Sequence, residues 1–550
     1  MAKTIVLILL LAAFGRATAG EDPEIAIHLP PPAWNSQGSI PLVLDIRTNR
    51  GGEFRVSARS AENMAGVSHT LRRTVSLPPG TAARVEMAFP FPFGLIVEVE
   101  GPGVSLSREL TLPFVDWKGE DSSSRLICAN SFLFRELNAW KDAGSREGPA
   151  VAVLALDSLP DLWQSYSGLT GVLVMEAREA RSLRPARREA LAIWVRWFGG
   201  RLWLAGPEAE EAAREIGFTM PIGTDRETAV RLCRQLNGAV FIQPRPDAGE
   251  LIRNLPGDPQ RNPLAPYYLM KRWDDTPGRQ LLGSFPGISV NSIILALLAL
   301  GVVMGPLNLW FIKRRKTPLL FFVTTPLAAF AGVAGVFAAS LWSEGFGGSY
   351  TQWGVLVRGA EKEAMLFDGR GVRSGFFVSI PRFSSDTLIF PFRNSGQRLE
   401  LISDVSDGTV LAEGWLKPRS VSGFLAVRPV ASRMNVEVIE EGGEWLVANG
   451  LGVALSEVAA ALPGGGGGWA KNVPPGNRAP LRREKSPERL EKILERAYSL
   501  FNDKPAFAGV ALAAECEGLP YLEDGGLGAV RLQGEYFYIQ AGIGPEEAEP

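Results

Sequence analysis

Histidine is almost missing from this chain of 550 residues: there are two, His28 and His69, both in the first hundred positions. That scarcity excludes most metal sites and most acid–base arrangements built on imidazole. Cysteine is nearly as rare. Cys128, Cys233 and Cys516 are widely separated and form no CxxC pair, so a disulfide framework is excluded. They read as buried thiols packing as small hydrophobes. Net charge is also lacking, at -2 with a pI of about 6.0, so no global basic field attracts nucleic acid. No cofactor motif is present, and no metal-ligand spacing.

What the chain does contain is folded material in quantity. Apolar residues make up 46% and charged residues 21%, which rules out wholesale disorder. The length implies roughly three or four domains. Glycine (60) and proline (40) are plentiful, which favours β-domains with many turns over helical bundles.

Two features set a topology. The amino terminus has Lys3, ten apolar residues over 5–14, and Ala17-Thr18-Ala19 before Gly20, the layout of an export signal over 1–19. Farther on, 288–312 and 317–342 carry no charge at all. At 1.5 Å per residue each run exceeds the ~30 Å of a bilayer's hydrocarbon core. Between them stand Lys313, Arg314, Arg315 and Lys316. Lys or Arg at mid-bilayer costs roughly 2.5–3.5 kcal/mol each, so these four belong in water on the cytoplasmic side.

The chain therefore reads as a multi-pass protein of the cytoplasmic (inner) membrane, with both large regions extracytoplasmic. The lipid bilayer is its first partner. Gly301 and Gly305 form a GxxxG. Counting back from the basic turn sets Gly301 level with Ala328 and Gly305 level with Thr324, so these four are expected to pack the two spans as a hairpin. Pro326 is expected to kink the second span. No ionisable side chain lies inside either span, which suits an anchor better than a transporter.

Outside the spans, 21–115 shows short alternating runs such as GEFRVSARS (52–60) and GLIVEVEG (94–101) with Pro/Gly punctuation, predicting a β-sandwich. Its layout resembles immunoglobulin-like modules. Over 122–255 the period changes. PAVAVLALD (149–157) and GVLVME (171–176) are continuously apolar strands, SFLFRELNAW (131–140) is a helical stretch, PARREALAIWVRWF (185–198) is an amphipathic helix, and Gly199-Gly200 ends the latter before RLWLAG (201–206). This alternation predicts a doubly wound parallel sheet. A juxtamembrane linker, 256–286, follows, with Tyr267, Tyr268 and Trp273 suited to a membrane surface. After the spans, 350–550 reads as a second mainly-β domain, with a flexible loop at 464–485 and a helix at 486–501 whose apolar stripe suits core packing or a partner. The fold class is thus a multidomain α+β membrane protein: sandwich, α/β domain, transmembrane hairpin, second β domain.

The run LPDLWQSYSGLTGVLVMEAREARSLRPARREALAIWVRWFGGRLWLAG (159–206) resembles the class I glutamine amidotransferase-like domains of bacterial membrane proteins. Active members of that superfamily use a cysteine on a tight strand-to-helix turn together with a histidine. Here the corresponding strand ends Leu204-Ala205-Gly206-Pro207, and no histidine follows residue 69. The resemblance therefore implies the fold without the dyad.

Ligands of open α/β sheets meet the carboxyl ends of strands. Cys128 and Asn130, Asp157, and Glu176 stand after the first three strands and are the candidate ligand-binding residues. Asp157 and Glu176 are either a carboxylate pair or helix-capping groups. The expected function is a non-catalytic envelope protein that presents its extracytoplasmic domains to other envelope proteins or ligands. Two alternatives stand beside it. One is a carboxylate-dependent envelope hydrolase or carbohydrate binder, with tryptophans stacking on sugar. The other is an accessory subunit of a transport complex.

Overall fold

Alternation with period two and frequent turn formers should make strands, and strands dominate the computed structural model. It describes residues 23–28, 39–60, 67–90, 94–111, 126–128, 135, 151–153, 156–169, 171–218, 231–234, 239–243, 290–315, 318–344, 348–359, 363–375, 381–392, 399–406, 409–413, 420–463, 466–498, 510–523 and 530–541. The export signal at 1–19, the 131–140 helix apart from Arg135, Asn130, the 256–286 linker and Lys316 lie outside the described residues.

The amino-terminal region supplies β1 (Glu24–His28), β2 (Ser39–Thr48), β3 (Gly52–Ser60), β4 (Val67–Leu77), β5 (Thr81–Pro90), β6 (Gly94–Gly101) and β7 (Val104–Thr111). Alternate residues of β3 and β6 are buried: Phe54, Val56 and Ala58 on one, Leu95, Val97 and Val99 on the other. The order β1-β2-β5 forms one antiparallel sheet, while β4-β3-β6-β7 runs through another. Buried residues of both belong to one apolar cluster, with Leu42, Leu44 and Val85 from the first.

The next unit contains β8 (Leu126–Cys128), β9 (Val151–Val153), β10 (Val172–Glu176), α1 (Ala177–Ser182), α2 (Pro185–Phe198), β11 (Arg201–Ala205), α3 (Ala209–Ile216), β12 (Arg231–Arg234) and β13 (Ala239–Gln243). Pro185 opens α2, where its missing N–H costs nothing. Gly199 ends it with φ 69, a left-handed conformation that glycine adopts without strain. Gly200 serves packing, since a Cβ there would sit 2.4 Å from the Trp194 ring. The sheet order is β12-β13-β11-β10-β8-β9, parallel except for the edge strand β12. Counting its parallel strands in chain order gives 2-1-3-4-5, a doubly wound arrangement.

Three helical stretches follow. Helix α4 (Val290–Val302) continues through a five-residue π-turn, Val303–Leu307, into α5 (Asn308–Arg315); a 3-10 turn at Pro318–Leu320 leads to α6 (Phe321–Glu344). Pro306 sits in the π-turn, a common home for a residue lacking an N–H. Pro326 lies inside α6 without ending it. Among the described residues, one helix, Leu297–Arg315, is long and apolar enough to cross a membrane, and Phe321–Gly335 is a shorter apolar stretch.

The expected GxxxG contact is corrected. Among the described residues, a Cβ on Gly301 or Gly305 would meet nothing within 4 Å beyond its own helix, and Thr324 donates to the Leu320 carbonyl of the preceding 3-10 turn at 2.9 Å. The helices meet instead where Asn308 Nδ2 donates to Thr325 Oγ1 at 2.9 Å and where Leu300 packs on Gly332. Both pairings run about one turn later along α6 than the Gly301–Ala328 and Gly305–Thr324 register. The π-turn and the 3-10 turn absorb the difference, and a buried amide in apolar surroundings selects the face that gives it a partner.

The remaining strands are β14 (Ser349–Arg358), β15 (Glu363–Arg373), β16 (Arg382–Ser384), β17 (Leu388–Phe392), β18 (Leu399–Ser406), β19 (Thr409–Glu413), β20 (Val421–Ala431), β21 (Val436–Glu441), β22 (Glu444–Asn449), β23 (Leu455–Leu462), β24 (Gly466–Val473), β25 (Arg478–Pro480), β26 (Arg482–Glu484), β27 (Val510–Cys516) and β28 (Val530–Ala541), with α7 at Glu488–Tyr498. Nine of the strands form one sheet, β17-β20-β15-β14-β28-β27-β23-β24-β26. Leu490, Ile493, Ala497 and Tyr498 of α7 are buried, so its stripe serves the core.

The expected flexible loop at 464–485 is corrected as well: its described part holds β24, β25 and β26. The glycines there are sites of close approach. A Cβ on Gly467 would lie 3.0 Å from Pro487 Cα, and one on Gly468 would lie 3.1 Å from Leu462 and Leu481.

Two further features bear on the whole. Strand β18 pairs in parallel with β4, from Leu399↔Val67 to Asp404↔Arg72, so the amino-terminal sheet continues into β18, β19 and β16. The β regions expected at 21–115 and 350–550 thus share one seven-stranded sheet. Within the nine-stranded sheet, Arg370 and Asp368 form a buried ion pair, Nη2 to Oδ2 at 2.6 Å, with the two side chains 1% and 5% exposed. Gln352 Nε2 also donates to Asp368 at 2.9 Å, and Tyr536 donates to Gln352 Oε1 at 3.0 Å.

Breaking that pair from one side leaves a buried, uncompensated carboxylate. Arg370→Met should destabilise the protein by about 3–5 kcal/mol, and the double variant Asp368→Leu/Arg370→Met should recover most of it. Thermal unfolding of the three proteins, followed by circular dichroism, checks both outcomes.

Candidate functional site

The order 2-1-3-4-5 puts the topological switch point between β8 and β10, where ligands of such sheets bind. Cys128 ends β8, level with Val174 of β10, and Glu176 ends β10 two residues farther on. These two positions therefore come together at the carboxyl edge. Asp157 does not join them. It lies in the 3-10 turn Leu156–Ser158 that follows β9, and β8 separates β9 from β10. Two strand spacings put about 10 Å between β9 and β10. Asn130 falls outside the described residues.

Glu176 has a local task. It forms a capping box at the start of α1 with Glu179, whose Oε2 accepts the Glu176 N–H at 3.1 Å. Cys516 is buried and free, and burial pushes its thiol up to about 12, which makes it inert. Trp163, Trp194, Trp197, Trp203 and Trp353 are all buried, where no sugar reaches them. Among the described residues, no three or more His, Cys, Asp or Glu side chains gather in a group able to hold a metal ion.

A second site emerges where three parts of the fold meet. A cavity of about 390 Å³ opens there. Its floor is one face of the shared sheet: period-two alternation sets His69, Leu71 and Arg73 of β4 on the same side, and the parallel register brings Leu401 beside His69 and Ser403 beside Leu71. Glu86 and Met87 of β5 contribute a wall, and Leu162 and Gln164 of the α/β unit contribute another. Ser385, Thr387, Leu388 and Ile389, from the region after the helices, close it.

Glu86 ties the sandwich to the α/β unit. Its carboxylate accepts the backbone N–H of Asp161 at 2.9 Å and that of Leu162 at 3.0 Å. Burial pushes this carboxyl above its ordinary value, opposed by those two N–H bonds. Nearby, Ser39 N–H donates to Ser167 Oγ at 3.0 Å, and Arg187 Nε pairs with Asp161 at 3.0 Å. Arg73 Nη1 donates to the Glu86 carbonyl at 2.7 Å. Gln164 Nε2 donates to the Ser385 carbonyl at 3.3 Å, leaving Gln164 Oε1 buried without a partner among the described residues. His69 is buried, and loss of hydration pulls its imidazole down to about 4, so it is neutral near pH 7. The cavity can thus offer hydrogen bonds and one guanidinium against an apolar surface.

The sequence singled out His69 only for its rarity, and gave no sign of Arg73, Glu86 or Gln164. These residues come from segments that have no local motif in common.

No protein-family model matches the chain, and no curated protein matches it. Among solved structures, a cycloisomaltooligosaccharide glucanotransferase from Paenibacillus sp., complexed with cycloisomaltoheptaose, is similar at 8% identity with a TM-score of 0.14. The likeness covers 33% of this chain and 38% of that one, so this chain spans well under half of it, and it bears on neither fold nor activity.

Burial of His69 makes stability depend on pH in a defined direction. The folded imidazole, near 4, binds a proton less readily than the unfolded one, near 6.5. Its contribution is therefore fully present above about 6.5 and is lost as pH falls toward 4, by about 3 kcal/mol in all. Glu86, with its carboxyl raised, acts in the opposite sense, favouring the folded state at low pH and losing that contribution as pH rises. His69→Gln should lose less melting temperature than the wild type between pH 7.5 and pH 5, as read by differential scanning fluorimetry.

Proposed function

We propose that this chain is a non-catalytic, membrane-anchored protein of the cell envelope, exported by its amino-terminal signal. The 290–344 helices form a two-span hairpin in the cytoplasmic membrane, with Lys313–Lys316 on the cytoplasmic side. The regions before and after it present an immunoglobulin-like sandwich, an amidotransferase-like α/β unit and a large β region to extracytoplasmic partners.

The observation that carries the anchor is where apolar side chains meet solvent. Of 19 exposed large hydrophobic residues among those described, 18 fall between Ile294 and Phe337; Met434 is the other. Exposed apolar patches of that extent mark a membrane or protein interface. Arg314 lies over the Trp310 ring at 5.4 Å and Arg315 over Phe311 at 5.5 Å, pairings suited to a bilayer surface. The parallel ladder between β4 and β18 adds an independent argument. Segments on either side of the helices share backbone hydrogen bonds, so both must lie on one face of any membrane the helices cross. An even number of crossings follows, which agrees with a hairpin.

Binding, rather than catalysis, is supported by the α/β unit. Strand β11 ends at Ala205, before Gly206-Pro207, without a nucleophile, and Glu176 is engaged in capping α1. The neighbouring units are joined to it: Arg196 of α2 pairs with Glu363 of β15, and Gln164 reaches Ser385. A joined assembly of this kind suits a docking platform.

Single cysteines at exposed Arg55, Arg314 and Glu491, in a background with the native cysteines replaced, test the topology. In intact bacterial spheroplasts a membrane-impermeant maleimide should label the first and third positions, and label Arg314→Cys only after permeabilisation. Protection of Glu491→Cys until lysis would overturn the reading.

A further inference from the structure

The cavity at the junction of β4, β5, the α/β unit and the region after the helices has a built polar interior, and nothing in the proposed anchoring role uses it. We propose that it binds a small organic carboxylate that carries an N–H or O–H donor on a short apolar body, with Arg73 receiving the carboxylate and Gln164 Oε1 accepting the donor.

Size comes first. About 390 Å³ falls in the range of sites for small molecules, roughly 300–1,000 Å³. Charge follows. Among the described residues of the lining, Arg73 and Glu86 are the formally charged side chains, and the Glu86 carboxylate is turned to the Asp161 and Leu162 N–H groups of the α/β unit. Arg73 spends one N–H on a neutral carbonyl, that of Glu86, and forms no ion pair among the described residues. A half-buried guanidinium with donors in hand prefers a carboxylate, which it binds more strongly than a neutral acceptor. His69, being neutral near pH 7, adds a donor without adding charge.

Polarity then fixes the second feature of the ligand. Gln164 is 4% exposed, and its amide orientation is set by the bond from Nε2 to the Ser385 carbonyl. Its Oε1 is a buried acceptor without a partner among the described residues, which a ligand donor would satisfy. The floor and walls around these groups, Leu71, Met87, Leu162, Leu388 and Leu401, are apolar and account for the apolar body. A molecule held here touches β4 and β18 together with the α/β unit, so it would also brace the junction of all three.

N-acetyl-L-leucine and its uncharged carboxamide are a matched pair of probes for isothermal titration calorimetry with the full chain in detergent micelles. The carboxylate should bind about ten-fold more tightly than the carboxamide. Arg73→Met should abolish that preference, and Gln164→Leu should weaken both probes several-fold. Equal affinity for the two probes, or no saturable heat from either up to about 10 mM, would overturn the proposal on the wild-type protein alone, whatever the folding of the variants. Preference retained by a folded Arg73→Met would overturn it too.

Discussion

Six consecutive backbone pairings, from Val67 with Leu399 to Arg72 with Asp404, join strands that stand on opposite sides of the apolar helices. Much else depends on that ladder. It makes the seven-stranded sheet continuous, lays the floor of the junction cavity, and would hold both regions on one side of any membrane that the helices cross. Parallel pairing is available here because the intervening chain is long enough to return to the starting edge of the sheet; a short turn would have forced antiparallel neighbours.

Buried polar groups show how the joined parts are kept specific. Glu86 satisfies two N–H groups at the start of a 3-10 turn, Arg196 reaches β15 from α2, and Asp368 with Arg370 occupies the middle of a β-layer. Each places a charge where its partner has to be present. The apolar contacts around them would tolerate small displacements; these bonds tolerate fewer, since an unpaired buried charge is costly.

Reading the sequence recovered what is local. Helix α2 runs over 185–198 as its proline, apolar spacing and double glycine indicate, and strands over 172–176 and 201–205 follow from continuous apolar runs. The abundance of strands was legible from alternation. Cys128 and Glu176 do stand at the switch point, since strand ends are read from hydrophobic pattern alone. Nonlocal relations escaped. The ladder between β4 and β18 leaves no mark on either segment, and the cavity is assembled from side chains as far apart as His69 and Ser403. Two errors have physical causes. A run of glycines suggested a loose loop, although Gly467 and Gly468 are small because neighbours press on them. Gly301 and Gly305 suggested a close helix contact, but the amide of Asn308 governed which faces met.

The same ladder has a consequence in time. Val67 and Leu399 are 332 positions apart, and a ribosome adds roughly 5–20 residues each second. One margin of β4 therefore waits roughly 17–66 s before its neighbour exists. Throughout that interval the margin is an open template for any passing extended chain. Until its own later segment arrives, pairing of that border with another chain competes with its native pairing.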